Sequence, residues 1–547
     1  MRLVEALVDA LAARGAGRIF GIPGDFALPL FDALVADGRL PVHTLSHEPS
    51  VGFAADAAAR YTSALGVAAV TYGAGGFNIV NPTAGAHAEK SPLVVISGAP
   101  GEAESASGLL VHHQGPRLDT QRRVFAEVTA ATARLDDPRT AAAEIARVLD
   151  AAVHDARPVY LEIPRDRVDM RIGRVPPPAP VPCDPEAVAD CAEEILGRLM
   201  RARRPVLMVG VEVRRYRLEA RVAELARRLR VPVVTSFMGR GLMAGTEVVP
   251  VGTYLGLAGD PRISKLVEDS DGLLLFGVIL SDTNFAVSAG RLDLRRVVHA
   301  FDRRVRVAHH VYPEVPLPAL VEALLERARP LTDARVPPVP VSWPRDLPAD
   351  DEPVGPVDVA RAINDAFARH GPMPMTADVG DCLFTAMDIA HTELAAPGYY
   401  AGMGFGVPAG IGAQLATGRR TLVLVGDGAF QMTGMELVHC PRLGIDPVVL
   451  LFDNSGWEML RVFDPDAPFH DLASCDWTTF ARMAGGDGHT VRTRRELRDA
   501  LETALGTRGR FQLLHIRLPR GAISPTLARF VEAQKRARGG RPKRRAA

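Results

Sequence analysis

The apolar positions of this chain fall into two rhythms. Near the start, Leu3, Val4, Leu7, Val8 and Leu11 recur at helical spacing, with Glu5 and Asp9 among them, and predict an amphipathic helix. Beyond it, short apolar runs such as Gly66–Tyr72, Pro92–Ser97 and Pro158–Ile163 alternate with helix-like stretches. Apolar runs of this length suit strands of a parallel sheet, buried on both faces by helices.

The pattern then repeats twice. Residues 176–185 are crowded with prolines and read as a linker. A second strand series follows, with Pro205–Val209, Pro232–Thr235, Gly272–Leu280 and Arg296–Phe301. After the proline- and acid-rich stretch Val336–Pro356, a third series begins at Met373–Asp378 and includes Thr421–Val425, Pro447–Phe452 and Phe511–Ile516. The expected architecture is three doubly wound α/β domains with parallel sheets, over residues 1–175, 186–332 and 356–535, followed by a basic tail at 536–547. A chain of 547 residues is too long for one core, and three such units do not by themselves define a function.

Composition narrows the classes. Lys+Arg and Asp+Glu stand at 64 each, so no overall charge draws the chain to nucleic acid or a membrane surface. The local exception, seven basic residues from Lys535 to Arg545, reads as a solvated tail. Cys183, Cys191, Cys382, Cys440 and Cys475 are scattered and form no CxxC pair, which excludes a zinc-ligand pattern and fits reduced thiols in the cytoplasm. Glu5 and Asp9 interrupt what would be a signal-peptide core, and no apolar run approaches the ~20 residues that span a bilayer.

The most informative stretch is Leu422–Leu460. A strand, LVLV, runs into Gly426-Asp427-Gly428-Ala429; a helix-like segment follows, then the strand PVVLLFD, then Asn454-Ser455-Gly456. In a parallel sheet both strand ends lie on one carboxyl edge, where ligands bind, so Asp427 and Asn454 meet. Mg²⁺ takes about six oxygens, often one or two carboxylates plus phosphates. Asp427, the Asn454 amide and the Gly456 carbonyl offer three, leaving positions for two diphosphate oxygens and a water. Gly428 lets backbone approach phosphate, and the helix after it presents free N–H groups. Two other glycine patterns carry less. Gly402-Met403-Gly404-Phe405-Gly406 lacks the preceding strand and acidic residue of a dinucleotide loop, and no GxxxxGK[ST] loop exists.

This arrangement resembles the thiamine-diphosphate motif of GDG, about two dozen residues, then NN; here 25 residues separate Gly428 from Asn454, and Asp453 stands at the first Asn. The resemblance extends to the N-terminal segment. Gly21-Ile22-Pro23-Gly24-Asp25-Phe26 is similar to the GxPGD segment of pyruvate and indolepyruvate decarboxylases. His47-Glu48-Pro49 before VGFAADAAARYT is similar to the family's activating glutamate. Thr71-Tyr72-Gly73-Ala74-Gly75 resembles its loop over the cofactor, and Val111-His112-His113-Gln114 its paired histidines. Taken singly, Glu48 reads as a helix-start carboxylate, Asp25 as a turn residue and the histidines as a polar loop. Together, in family order, they resemble the bacterial phenylpyruvate and indolepyruvate decarboxylases over Leu3 to Arg536.

The resemblance implies a pyrimidine-binding, a middle and a diphosphate-binding domain, with thiamine diphosphate and Mg²⁺ as cofactors. It implies decarboxylation of an aromatic 2-oxo acid to the aldehyde and CO₂ through the cofactor's ylid. Glu48 then hydrogen-bonds the pyrimidine nitrogen, the Ala401 carbonyl and Met403 N–H grip the pyrimidine, and the Met403 side chain supports the bent cofactor. Thr71, Gly380, Asp381, Asp427, Gly428, Ala429 and Asn454 complete the cofactor contacts. Asp25, His112 and His113 become proton-relay candidates. Most relatives carry a glutamate six residues after the metal asparagine; here it is Leu460, which with Trp457 gives the substrate pocket apolar surface. Asp282 is the candidate replacement carboxylate, whereas Glu458 points to another helix face. A homodimer or homotetramer is implied, with Glu48 reaching a cofactor on a neighbour. The competing readings are an acetolactate-synthase-like carboligase, a decarboxylase of pyruvate or aliphatic 2-oxo acids, and a binding protein that has lost catalysis.

Overall fold

The computed structural model describes residues 1–285, 292–331 and 342–539. Among the described residues, three sheets hold the fold together. The first contains β1 (Ile19–Gly21), β2 (Val42–Thr44), β3 (Gly66–Val70), β4 (Leu93–Ala99), β5 (Ala131–Arg134) and β6 (Val159–Pro164), in the order β2-β1-β3-β4-β6-β5 and parallel throughout. The predicted opening helix spans Leu3–Ala13; its fully buried Leu3, Leu7 and Leu11 share a core with Ile96, Leu161 and Ile163. Each such leucine contributes about 1.5–3 kcal/mol by leaving water.

The second sheet contains β7 (Pro205–Val209), β8 (Val233–Ser236), β9 (Thr253–Tyr254), β10 (Gly272–Phe276), β11 (Val298–Phe301), β12 (Arg304–Val307) and β13 (His310–Tyr312), ordered β13-β12-β11-β10-β7-β8-β9. Here the expectation of a wholly parallel sheet is corrected: β11, β12 and β13 run antiparallel at one edge. The alternating Arg304-Val305-Arg306-Val307 buries its valines on one face and leaves Arg304 exposed and Arg306 half-buried on the other, the pattern of an antiparallel strand with one face on the core.

The third sheet contains β14 (Met375–Ala377), β15 (Leu394–Ala395), β16 (Leu422–Gly426), β17 (Val448–Asp453), β18 (Asp487–Val491) and β19 (Gln512–Arg517), ordered β15-β14-β16-β17-β19-β18 and parallel throughout. Residues 172–184 form no helix or strand. Residues 336–341 of the second expected linker lie outside the described residues. The final helix runs Pro525–Gly539, past the expected start of the tail at 536; residues 540–547 lie outside the described residues.

The chain forms two compact units. One combines Met1–Val181 with Tyr400–Thr421 and Gln431–Pro447; the other holds Pro182–Tyr399, Leu422–Phe430 and Val448–Ala547. In the first, the helices Glu48–Thr62 and Gly406–Thr417 lie together because both are built of small residues. Gly412 faces the Ala54 carbonyl so closely that a side chain there would collide with it, and Phe53 meets Phe405 edge to face at 5.6 Å. The second unit contains the second and third sheets, and β14, β16 and β17 lie side by side in the latter.

Candidate active site

The carboxyl edge of the third sheet collects the expected diphosphate and metal residues. Gly426 of β16 pairs with Phe452 of β17, so Asp427 and the Asp453-Asn454 turn emerge next to each other. Asp427 Oδ1 accepts the Gly428 N–H at 2.9 Å and Oδ2 accepts the Gly456 N–H at 3.0 Å. Burial, then the Asp453 carboxylate, push the Asp427 carboxyl up to about 7. The Asn454 Oδ1 is buried and has no hydrogen-bond partner among the described residues. An orphaned amide oxygen on a turn tied to an enclosed carboxylate offers oxygen donors that a hard cation completes. The residues present therefore fit Mg²⁺.

At the end of β14, Gly380 adopts φ 97°, which only glycine accepts readily, and Asp381 begins a helix. Asp381 Oδ2 accepts the Ser524 N–H at 2.8 Å, whereas Oδ1 is buried without a partner among the described residues. Burial raises this carboxyl to about 6. Ala429 is buried in the helix Asp427–Thr433. The Trp457 ring lies against Gly428, where any side chain would collide.

Asp453, the departure from the two-asparagine motif, is matched from the next strand. Its Oδ2 is bonded to the buried His515 Nε2 at 2.6 Å and to Arg517 Nη1 at 3.2 Å.

The first unit carries a further set of expected residues. Asp25, His112 and His113 cluster: His112 Nε2 is hydrogen-bonded to Asp25 Oδ2, and His113 Nε2 stands 4.0 Å from Asp25 Oδ1. Burial works to raise the Asp25 carboxyl, but the His112 hydrogen bond and its companions outweigh it and hold Asp25 below the usual range. Phe26 stacks on His112 at 4.6 Å between ring centres. Gly73, at φ 67°, leaves no room for a side chain beside the His113 backbone. Glu48 opens the helix Glu48–Thr62 and accepts the Asn78 amide at 2.7 Å on Oε2. Thr71 Oγ1 is buried without a partner among the described residues. Ala401 has φ 58°, and Met403 is partly exposed just before the helix Gly406–Thr417.

Asp282, also expected, lies on the short helix Asp282–Phe285, and Leu460 and its neighbour Glu458 lie on another. Asp282 is exposed and accepts its neighbour's N–H, from Thr283 at 2.8 Å. Leu460 is 54% exposed on the short helix Glu458–Arg461. Glu458 is buried and paired with Arg461 at 2.5 Å, a structural role. Several supporting residues have no signal in the sequence. Gln121 accepts the Gly73 N–H at 2.6 Å and donates to Ser97 and Tyr160, fixing the Thr71–Gly75 loop. Glu436, buried, accepts the Ser46 N–H at 3.1 Å just ahead of the Glu48 helix. Asn78, Gln121, Glu436 and His515 are ordinary polar residues whose partners are distant along the chain or on separate loops.

Comparison with known proteins converges on this chemistry. Residues 1–122 match the thiamine pyrophosphate enzyme N-terminal TPP binding domain, 192–328 its central domain and 378–516 its C-terminal TPP binding domain. Thiamine pyrophosphate is thiamine diphosphate, so the sheets and their loops define a thiamine-diphosphate enzyme. The chain is 60% identical to an indole-3-pyruvate decarboxylase of Azospirillum brasilense, over 98% of this chain and 99% of that protein. It is 29% identical to alpha-keto-acid decarboxylases of Mycobacterium tuberculosis and Mycobacterium avium, over 96% of this chain in both cases and 96% and 95% of those proteins. This chain belongs to the thiamine-diphosphate-dependent 2-oxo acid decarboxylases. Among the described residues no helix is long and apolar enough to cross a membrane.

Proposed function

We propose that this enzyme uses Mg²⁺ with thiamine diphosphate to decarboxylate an aromatic 2-oxo acid, indole-3-pyruvate or phenylpyruvate, to the aldehyde and CO₂. The observation that carries the magnesium reading is the buried, unpartnered Asn454 Oδ1 on the turn whose Gly456 N–H bonds Asp427. Asp427, Asn454 and the Gly456 carbonyl hold the metal; Gly380, Asp381, Gly428 and Ala429 line the diphosphate. Thr71, Ala401 and Met403 contact the rest of the cofactor. When bound, the cofactor supplies the carbon nucleophile and the electron sink. Glu48 supplies the hydrogen bond that activates it, with Asn78 orienting the carboxylate. Asp25, His112 and His113 move the proton that ends the reaction, and the His112–Asp25 pairing supports that role. Asp282, whose carboxylate accepts the Thr283 N–H and hydroxyl of its own turn, is the candidate replacement for the glutamate absent at 460.

The aromatic preference rests on Leu460 and Trp457, apolar where a glutamate would need a partner, and on the substrate named for the Azospirillum brasilense relative. The domains span 1–175, 186–332 and 356–535. The enzyme works in the cytoplasm as a homodimer or homotetramer in which Glu48 serves a neighbour's cofactor. The test is kcat/KM for indole-3-pyruvate, phenylpyruvate and pyruvate, with aldehyde as the readout. An arylpyruvate leading pyruvate is expected. A lead for pyruvate overturns the aromatic assignment, and acetolactate as the main product favours a carboligase.

A further inference from the structure

Asp453 ends β17 with its side chain almost fully enclosed, immediately before the asparagine that faces the metal position. A buried carboxylate next to Asp427 is costly unless it is paired. It is paired twice from β19, by His515 at 2.6 Å and by Arg517 at 3.2 Å. The parallel register sets Asp453 opposite Arg517 and Leu451 opposite His515, so the partners come from the same short stretch of one neighbouring strand. The Arg517 guanidinium is itself held by Ser474 Oγ at 2.9 Å.

The other carboxylate oxygen acts forward along the chain. Asp453 Oδ1 accepts the Ser455 N–H at 2.9 Å and the Ser455 hydroxyl at 3.2 Å. Ser455 has φ 55°, a left-handed conformation that a non-glycine residue keeps only when its surroundings impose it. That residue separates Asn454 from Gly456, and the Gly456 N–H in turn bonds Asp427. The turn is thus tied at one end to β19 and at the other to the GDG carboxylate, with the Asn454 Oδ1 left buried and unpartnered between them.

We propose that Asp453 is a positioning residue for the cofactor's metal. Anchored by His515 and Arg517, it closes the Asn454-Ser455 turn so that the Asn454 amide oxygen and the Gly456 carbonyl are set in place before the cation arrives. This inference rests on the reading of Asp427, Asn454 and Gly456 as the metal ligands. It assigns the acid at 453 a role that asparagine, the residue of the family motif, can take over in part, because an amide oxygen also accepts the Ser455 N–H.

The test is calorimetric titration of Mg²⁺ into metal-free protein saturated with thiamine diphosphate, paired with kcat and the Mg²⁺ dependence of turnover. Asp453→Ala should weaken Mg²⁺ binding at least 10-fold while kcat at saturating Mg²⁺ stays within about threefold. Asp453→Asn should recover affinity to within about threefold of the parent. His515→Ala, which keeps the turn but loses the anchor, should fall between the two. Unchanged Mg²⁺ affinity in Asp453→Ala overturns the proposal, as does an Asp453→Asn protein no better than Asp453→Ala. If Asp453→Ala does not fold, His515→Ala decides: parent affinity there overturns the anchoring role. A parent enzyme that binds no Mg²⁺ would instead refute the metal-site reading itself, a result that the same titration separates.

Discussion

Asn78 donates its side-chain amide to Glu48 Oε2 at 2.7 Å, and Gly75 lies beside Oε1, where an added methyl group would stand 3.3 Å away. The carboxylate proposed to activate the cofactor is therefore oriented from one side and given room by a glycine on the other. Removing its charge while keeping its shape, in Glu48→Gln, should cost about 100-fold or more in kcat, the scale of general acid–base groups. Cofactor affinity should change less. Asn78→Ala should lower kcat by a smaller factor, about 10-fold. Steady-state kinetics with saturating cofactor check both, and a parental rate in Glu48→Gln removes Glu48 from the mechanism.

Leu460 offers an exposed apolar surface on the segment that follows the Asn454-Ser455-Gly456 turn. An aromatic substrate side chain buries ~150–250 Å² when enclosed. Partial burial and ordering costs leave about 1–3 kcal/mol, or roughly 10–200-fold in discrimination. Leu460→Glu should reduce kcat/KM for arylpyruvates at least ~10-fold more than for pyruvate. Equal losses on both substrates would show that this side chain does not read the substrate.

Acid sensitivity should come from buried neutral histidines in the second unit. His391 donates from Nε2 to the Leu242 carbonyl and accepts from Arg240 at 3.1 Å on Nδ1; burial, then the Arg240 charge, lower it to about 3. Burial likewise lowers His299, which donates to the Val278 carbonyl, to about 4. Each folded pKa lies below the unfolded value of 6.5, so unfolding takes up protons below that pH, and stability falls as pH drops from about 6.5 toward 4. For His391 the loss reaches about 2 kcal/mol at pH 5. Urea midpoints at pH 7.5 and 5.0 measure it, and His391→Gln should shrink the difference between them. An unchanged difference would show that this ring does not set the acid limb.

Much of the fold was legible because parallel strands buried on both faces leave unbroken apolar runs. Pro205–Val209 is such a run and is β7 to the residue. The meeting of Asp427 and the Asn454 turn was legible for a related reason, since parallel pairing brings successive strand ends to one edge. The antiparallel edge of the second sheet was not, because Arg304–Val307 and His310–Tyr312 are short and half-polar, and their directions are set by pairing, of the first with β11 and of the second with β12. Nor was the joining of residues 400–421 and 431–447 to the N-terminal unit, which depends on the close fit of Gly412 against Ala54. Partners such as Asn78 for Glu48, Gln121 for Gly73 and His515 for Asp453 are chosen by three-dimensional proximity, and no spacing rule marks them.

The central claim is that catalysis needs thiamine diphosphate and Mg²⁺ together, held by Asp427, Asn454 and Gly456. The direct measurement is aldehyde and CO₂ release from indole-3-pyruvate by protein stripped of both, assayed with neither, each alone and both. Activity returning only with both, and returning poorly in Asn454→Ala at sub-saturating Mg²⁺, is the result predicted. Full activity in the stripped protein, or no recovery in the parent when both are restored, would contradict it.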